Sequence, residues 1–184
     1  MGHLIVGIAG SLRNASINRA LLERAESMLP EGVDFRFASI RELPLYDGDL
    51  EAEGIASVEA LKADIAAATG VLIATPEYNY GIPGPLKNAL DWASRPAYKS
   101  VFAQRRVGIL SASPGPSGGI RAQGHLKQVL LGMAAEIYAA PEAAVAGATR
   151  GEDGRLVLDA RQEQRLRRYV EGFVAFAAAG SASS

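Results

Sequence analysis

One stretch near the middle of the chain, residues 71–94, constrains the fold most strongly. It reads VLIATPEYNYGIPGPLKNALDWAS. Its first four residues are apolar, and two are β-branched, which favours a strand buried on both faces of a parallel sheet. Pro83 and Pro85 suit the first turn of a helix, where a missing N–H does no harm. The apolar positions that then recur at helical spacing are Leu86, Ala89, Leu90 and Ala93.

The segment between this strand and helix, residues 76–81, is polar and aromatic. Ordinary βα turns run about two to six residues, whereas this connection is long, carries two tyrosines and is held by Pro76, Pro83 and Pro85. Ligands of open α/β sheets bind outside the carboxyl ends of the strands, where this loop would lie. An ordinary turn remains the alternative, but the composition favours a ligand-binding loop.

A second apolar strand, residues 4–9, ends at Gly10 and leads through a polar loop into a helix. Ser11, Arg13 and Ser16 lie near the start of that helix, where free N–H groups and the helix dipole favour an anion. A simple helix cap by Ser16 or Asn18 is the alternative. The loop has neither a P-loop lysine nor a G-x-G-x-x-G motif, so it suits one terminal phosphate rather than a dinucleotide.

A third candidate loop follows the strand predicted at residues 106–112. Three glycines, Gly115, Gly118 and Gly119, follow Ser113. They would allow either close approach of a flat ligand or turns with positive φ, and the sequence leaves both open.

The remaining segments continue the alternation of strands and helices. They predict a strand at 33–38, a helix at about 55–68, an interrupted fifth strand at 136–138 and 142–145, a surface hairpin turn at 151–154, and a last helix from about Asp159. The acidic segment after Asp47 is interpreted as a solvated loop. We therefore expect a three-layer α/β fold with a mostly parallel sheet, and a single domain over residues 1–184 with a frayed tail at about 180–184. One strand order open to such a fold is 2-1-3-4-5. That order would bring the three loops side by side.

Composition excludes several classes of protein. Zero cysteines rule out disulfides and thiol chemistry, and a net charge of −1 without a basic run argues against nucleic acid and anionic membranes as partners. No apolar run approaches the roughly 20 residues of a membrane span. His3 and His125 are the only histidines, so no metal site is expected. The amino terminus lacks the pattern of a signal peptide, so we expect a cytoplasmic protein.

Several motifs together resemble the NADPH-dependent FMN reductase family, which includes quinone, chromate and azo-dye reductases. The matching residues are Gly10-Ser11-Leu12-Arg13, Ser16, Asn18, Thr75-Pro76-Glu77-Tyr78-Asn79, Gly81, Pro83, residues 87–92, Ser113, Gly115 and residues 118–123. The resemblance runs from about Ile5 to Phe176. It implies a flavodoxin-like three-layer sandwich with a five-stranded parallel sheet of order 2-1-3-4-5, non-covalent FMN, and a homodimer or homotetramer.

The resemblance also implies which residues bind the cofactor. The FMN phosphate would be held by Ser11, Arg13, Ser16 and Asn18. The isoalloxazine ring would be bordered, largely by main-chain groups, by Pro76, Glu77, Tyr78, Asn79 and Gly81. Its other edge would be closed by Ser113, Gly115 and Gly119. A bulky side chain at Gly119 is expected to block the ring without unfolding the domain.

In such an enzyme the flavin itself carries the chemistry, so no catalytic side chain is predicted. NADPH or NADH would donate hydride, and a small acceptor such as a quinone, chromate, an azo dye or free flavin would then receive it by ping-pong kinetics. Two alternatives remain: an electron carrier, although carriers of this fold are usually strongly acidic, and a flavin-binding protein without turnover.

Two features concern assembly. Many family members have an aromatic residue where this chain has Gly124, and arginine is common where it has Lys127. Trp92 is predicted to point about 110° away from the buried stripe of its helix. Together with Pro96, Ala97, Tyr98, Val101 and Phe102 it would form an apolar patch, which predicts a homodimer built partly on this helix.

Overall fold

The computed structural model describes residues 2–180, in which strands and helices alternate as predicted. The strands are β1 (His3–Ala9), β2 (Val33–Ala38), β3 (Gly70–Ala74), β4 (Arg106–Ser113), β5 (Glu136–Ile137), β6 (Ala143–Ala146), β7 (Thr149–Arg150) and β8 (Leu156–Val157). The helices are α1 (Ile17–Glu26), α2 (Ala56–Ala67), α3 (Gly84–Ala93), α4 (Ile120–Gly132) and α5 (Ala160–Ala179), with a short 3₁₀ helix at Gly48–Leu50. The frayed tail was predicted for about residues 180–184, of which 181–184 lie outside the described residues.

The main sheet has the order β2-β1-β3-β4-β5, and each of these neighbouring pairs is parallel. This confirms the predicted order and the flavodoxin-like topology. Strands β7 and β8 form a separate antiparallel hairpin, at the position where the sequence predicted a surface turn. Among the described helices, none combines the length and apolarity needed to cross a membrane.

The fifth strand is interrupted, as the sequence predicted. Strand β5 pairs with the start of β4, and β6 pairs with its end, from Leu110 to Ser113. Between them the Tyr169 hydroxyl accepts a hydrogen bond of 2.8 Å from the Ile109 N–H. Burial raises the pKa of Tyr169 to about 12, so this phenol stays neutral at physiological pH. The Tyr169 side chain of α5 therefore accepts the hydrogen bond that a main-chain carbonyl of an uninterrupted fifth strand would accept.

Apolar side chains cover both faces of the sheet and form two cores. One core lies under α2, α3 and α4, and the other lies under α1 and α5. Every residue of β3 is buried, which agrees with its run of apolar residues. Helix α5 begins with a capping box, in which Asp159 accepts from the Gln162 N–H and the Gln162 side chain accepts from the Asp159 N–H.

The structure contradicts the predicted position of Trp92 on the surface. Trp92 is 2% exposed and Phe102 is 0% exposed, so neither contributes to an apolar patch. The segment after Ile40 covers α3: the Pro44 carbonyl accepts from Trp92 Nε1 at 2.9 Å, and the Tyr46 ring packs edge-on against the indole at 5.1 Å. Tyr98 remains fully exposed. The homodimer stays a prediction, but its placement on Trp92 is wrong.

Candidate flavin site

The structure brings the three candidate loops together at one edge of the sheet. They follow β1, β3 and β4, which are neighbours, with β3 in the middle. The loops continue the strand pairing, because the Gly10 N–H donates to the Ala74 carbonyl at 2.8 Å and the Thr75 N–H donates to the Leu110 carbonyl at 3.0 Å. The chain crosses to opposite faces of the sheet after β1 and β3, so this edge is the switch point at which ligands of such folds bind.

The start of α1 combines a helix cap with features that suit an anion. Ser16 is the N-cap, and its Oγ accepts from the Arg19 N–H at 3.2 Å. The Ser11 Oγ accepts from the Arg13 N–H at 3.3 Å. Both hydroxyls keep their own proton for a ligand, and the N–H groups of the first helical turn have no partner within the helix.

The Arg13 side chain adds the positive charge of this loop. Arg13 is exposed, and its guanidinium forms no hydrogen bond or ion pair with another residue in the range 2–180. A free guanidinium beside a helix N-terminus is an arrangement that binds phosphate well.

Asn18 has a structural role that the sequence did not reveal. Its side chain is 2% exposed, and both polar atoms bind one peptide unit: Oδ1 accepts from the Ala112 N–H, and Nδ2 donates to the Ala112 carbonyl, each at 2.9 Å. The amide thus extends the pairing of β4 and ties the start of α1 to the end of that strand. Any bond from Asn18 to a phosphate would therefore come chiefly from its main-chain N–H.

The loop after β3 is built around a tight hairpin. Tyr78 and Gly81 exchange two main-chain hydrogen bonds, of 3.0 and 3.1 Å. The two central residues, Asn79 and Tyr80, have φ values of 49° and 67°, as a type I′ turn requires. Tyr78 and Tyr80 are both exposed, whereas Pro76 is buried and its carbonyl accepts from the Thr75 hydroxyl at 2.9 Å. The hairpin therefore presents main-chain groups and two aromatic rings at the edge of the site.

Gly81 is required by the close approach of α4. A Cβ at this position would lie 2.8 Å from His125 Nδ1. His125 Nδ1 in turn accepts from the Ile82 N–H at 3.3 Å. The absence of a side chain at Gly81 lets the hairpin rest against the helix.

Glu77 and Arg121 form an ion pair that joins the hairpin loop to α4. Glu77 Oε1 lies 2.6 Å from Arg121 Nε, and Glu77 Oε2 accepts from the Arg121 main-chain N–H at 3.1 Å. The hydrogen bond from the Arg121 side chain is the largest cause that lowers the pKa of Glu77, and partial burial opposes it. Arg121 belongs to the motif that matched the family but was not among the predicted site residues.

Two of the three glycines in the loop after β4 have left-handed turn geometry. Gly118 and Gly119 have φ values of 60° and 87°, which confirms one of the two interpretations left open. A Cβ at Gly119 would lie 3.0 Å from Ser111 Cβ. A side chain there would point towards Ser111 from a left-handed backbone conformation, so we expect a bulky residue to destabilise the domain as well, which the sequence did not indicate. The Ser113 Oγ accepts from the Gly115 N–H at 3.1 Å, which shapes the start of the loop.

The donor set of these loops fits a flavin mononucleotide. A positive loop at α1 suits the phosphate, and the polar main chain of the other two loops suits the flat, hydrogen-bonding ring. Within residues 2–180, no group of three or more His, Asp or Glu side chains could bind a metal ion.

Comparison with known proteins agrees with this geometry. A sequence profile described as NADPH-dependent FMN reductase matches residues 4–150. An NAD(P)H-dependent FMN reductase of Pseudomonas aeruginosa is 42% identical over 162 residues, which cover 86% of this chain and 87% of that protein. A quinone reductase of Escherichia coli is 42% identical over 141 residues, covering 75% of this chain and 74% of that one.

A solved structure also matches over nearly the whole chain. FerB of Paracoccus denitrificans, a flavoenzyme NAD(P)H:(acceptor) oxidoreductase, superposes with a TM-score of 0.85 at 32% identity. The match covers 95% of this chain and 97% of that protein. The profile match and the identity levels lead to one conclusion, that this chain is an oxidoreductase that belongs to the NADPH-dependent FMN reductase family.

Proposed function

We propose that residues 1–184 form one domain that binds FMN and passes hydride from NAD(P)H to quinones. The observation that carries the proposal is Arg13, which lies in the loop that leads into α1 and whose guanidinium has no partner among residues 2–180. This loop lies next to those that follow β3 and β4. The names of the relatives support it, since they are FMN reductases and quinone reductases.

The phosphate of FMN would lie at the start of α1. Ser11 and Ser16 would donate their hydroxyl protons, Arg13 would supply charge-assisted hydrogen bonds, and the N–H groups of Ile17 and Asn18 would point at the phosphate oxygens. The side chain of Asn18 would keep this helix start in register with the end of β4.

The ring would lie between the other two loops. Main-chain groups of Pro76, Glu77, Tyr78, Asn79 and Gly81 would border one edge, and those of Ser113, Gly115 and Gly119 would border the other. When bound, FMN accepts and donates hydride. The protein's groups would bind the ring, orient it and donate hydrogen bonds to the edge on which negative charge develops.

The exposed side of the site would serve both substrates. We propose ping-pong kinetics, because the nicotinamide must leave before a quinone can occupy the same face. The sequence left two alternatives open, an electron carrier and a flavin-binding protein without turnover. Neither would oxidise NAD(P)H with a quinone in the steady state.

The test is NADPH or NADH oxidation by the FMN-loaded protein with a soluble benzoquinone as acceptor. We expect turnover with parallel double-reciprocal plots when both substrates are varied. Intersecting plots would contradict the shared face, and a lack of turnover with every acceptor would favour the carrier or binding protein.

Replacing Arg13 with alanine should weaken FMN binding at least tenfold. The reason is the loss of charge-assisted hydrogen bonds, each of which contributes about 1.5–3 kcal/mol. Riboflavin, which has no phosphate, should bind the wild type and the variant equally weakly. Fluorescence titration measures both ligands, and Arg155→Ala, which removes an exposed arginine from the β7–β8 hairpin, is the control. Equal FMN affinity in wild type and Arg13→Ala would contradict the proposal that Arg13 binds the FMN phosphate.

A further inference from the structure

Glu77 joins one loop of the site to the helix that follows another loop. Glu77 follows β3, and its partner Arg121 lies in the first turn of α4, directly after the loop that follows β4. The ion pair therefore joins the loop of residues 75–83 to the start of α4, which directly follows the loop of residues 114–119.

The Glu77 carboxylate serves as the cap of α4. The N-cap residue of α4 is Gly119, which has no side chain to accept a hydrogen bond. Glu77 Oε2 accepts from the Arg121 N–H at 3.1 Å, and Oε1 lies 2.6 Å from Arg121 Nε and 2.5 Å from a terminal guanidinium nitrogen. The Glu77 side chain is only 9% exposed, so little of this carboxylate remains open to a ligand.

Arg121 also contacts the tip of the hairpin. The centre of its guanidinium lies 4.2 Å from the centroid of the Tyr80 ring. Tyr80 is 72% exposed and has a φ of 67°, an uncommon value for a residue with a side chain. The guanidinium thus holds the hairpin at two points, through the carboxylate at its base and through the ring at its tip.

We propose that Glu77 and Arg121 are positioning residues, whose ion pair sets the width of the flavin slot before FMN binds. This inference rests on the proposed function. If the pair is lost, the hairpin leaves its binding-competent arrangement for part of the time. The apparent dissociation constant then rises by the inverse of the competent fraction, so a tenfold fall in that fraction gives a tenfold weaker affinity.

A double-mutant cycle in the FMN titration tests the inference. The variants are Glu77→Gln, Arg121→Met and the double variant. Each single substitution should raise the dissociation constant for FMN about tenfold, and the double should raise it no further than Arg121→Met does, because both singles break the same pair. Arg121→Lys should fall between wild type and Arg121→Met, since lysine keeps the charge but not the planar, two-pronged contact. The visible absorption band of bound FMN should change shape in the variants, which a remote loss of stability would not produce.

The control pair is Arg36 and Asp64, which joins β2 to α2 at 3.0 Å and contacts none of the three loops. Arg36→Met and Asp64→Asn should leave FMN affinity and the absorption band unchanged. Unchanged affinity in Glu77→Gln and Arg121→Met would overturn the inference. The inference would also be overturned if the increase in the dissociation constant for FMN in the double variant equalled the product of the two single increases. If the wild type itself fails to bind FMN, that result contradicts the proposed function rather than the role of the ion pair.

Discussion

Replacing Trp92 with alanine is expected to lower the free energy of unfolding by about 3–5 kcal/mol, the usual loss when a large buried aromatic residue is truncated. Trp92 is 2% exposed and belongs to the largest fully buried side chains of the described region. The substitution also leaves the Pro44 carbonyl without the indole N–H and the Tyr46 ring without its aromatic neighbour. Urea unfolding followed by far-ultraviolet circular dichroism measures the effect.

Tyr98→Ala is the matched control for Trp92→Ala. Tyr98 follows the same helix but is fully exposed, so its removal should change the stability by no more than about 0.5 kcal/mol. Trp92→Phe should fall between the two, since it keeps most of the buried ring and loses the bond to Pro44. The fold of this segment would be contradicted if Trp92→Ala left the free energy of unfolding unchanged and abolished a dimer in sedimentation equilibrium. Trp92 would then lie on the surface.

Gly119→Leu is expected to destabilise the apoprotein by about 2–5 kcal/mol. A left-handed conformation costs a residue with a side chain about 1–2 kcal/mol, and forcing extra atoms into a packed region costs about 1–3 kcal/mol more. The φ of Gly119 is 87°, and its Cβ would lie 3.0 Å from Ser111 Cβ and 3.2 Å from Ser111 Oγ. The apoprotein is the sample to unfold, because any direct effect on FMN is then removed.

Gly124→Ala, in the helix that follows Gly119, is expected to stabilise the protein rather than destabilise it. Gly124 lies inside α4, and an added Cβ would meet no atom within 4 Å. Alanine should stabilise the helix there by about 0.5–1 kcal/mol. If Gly119→Leu leaves the apoprotein as stable as the wild type and abolishes only FMN binding, the side chain points into the site, as the sequence first suggested.

The sequence predicted those parts of the fold that depend on local pattern. The apolar run of β3 and the helical spacing after Pro85 give element type directly, and the alternation of strands and helices gives a parallel three-layer fold. The order of the sheet came from the resemblance to the family. The adjacency of the three loops followed from that order alone. Even the interrupted fifth strand was visible, because Pro141 separates its two halves.

The contacts missed by the sequence all join segments that are distant in the chain. Trp92 is covered by a segment more than 40 residues earlier, whose own sequence has no periodic pattern, so nothing local indicated its burial. Asn18 binds Ala112 across 94 positions, although by type it suited a cap or a ligand contact equally well. The pairing of Glu77 with Arg121 had one local signal, a glycine at the N-cap of α4, which left the first helical turn in need of an acceptor from elsewhere.

The central claim, that the three loops bind FMN for hydride transfer, is tested most directly by anaerobic stopped-flow absorbance. The FMN-loaded protein is mixed first with NADPH or NADH and, after the nicotinamide is removed, with a benzoquinone. We expect the flavin absorbance to bleach with the nicotinamide and to return in full with the quinone, without a complex of all three. A protein that retains no FMN, or a bound flavin whose absorbance neither nicotinamide changes, would contradict the account.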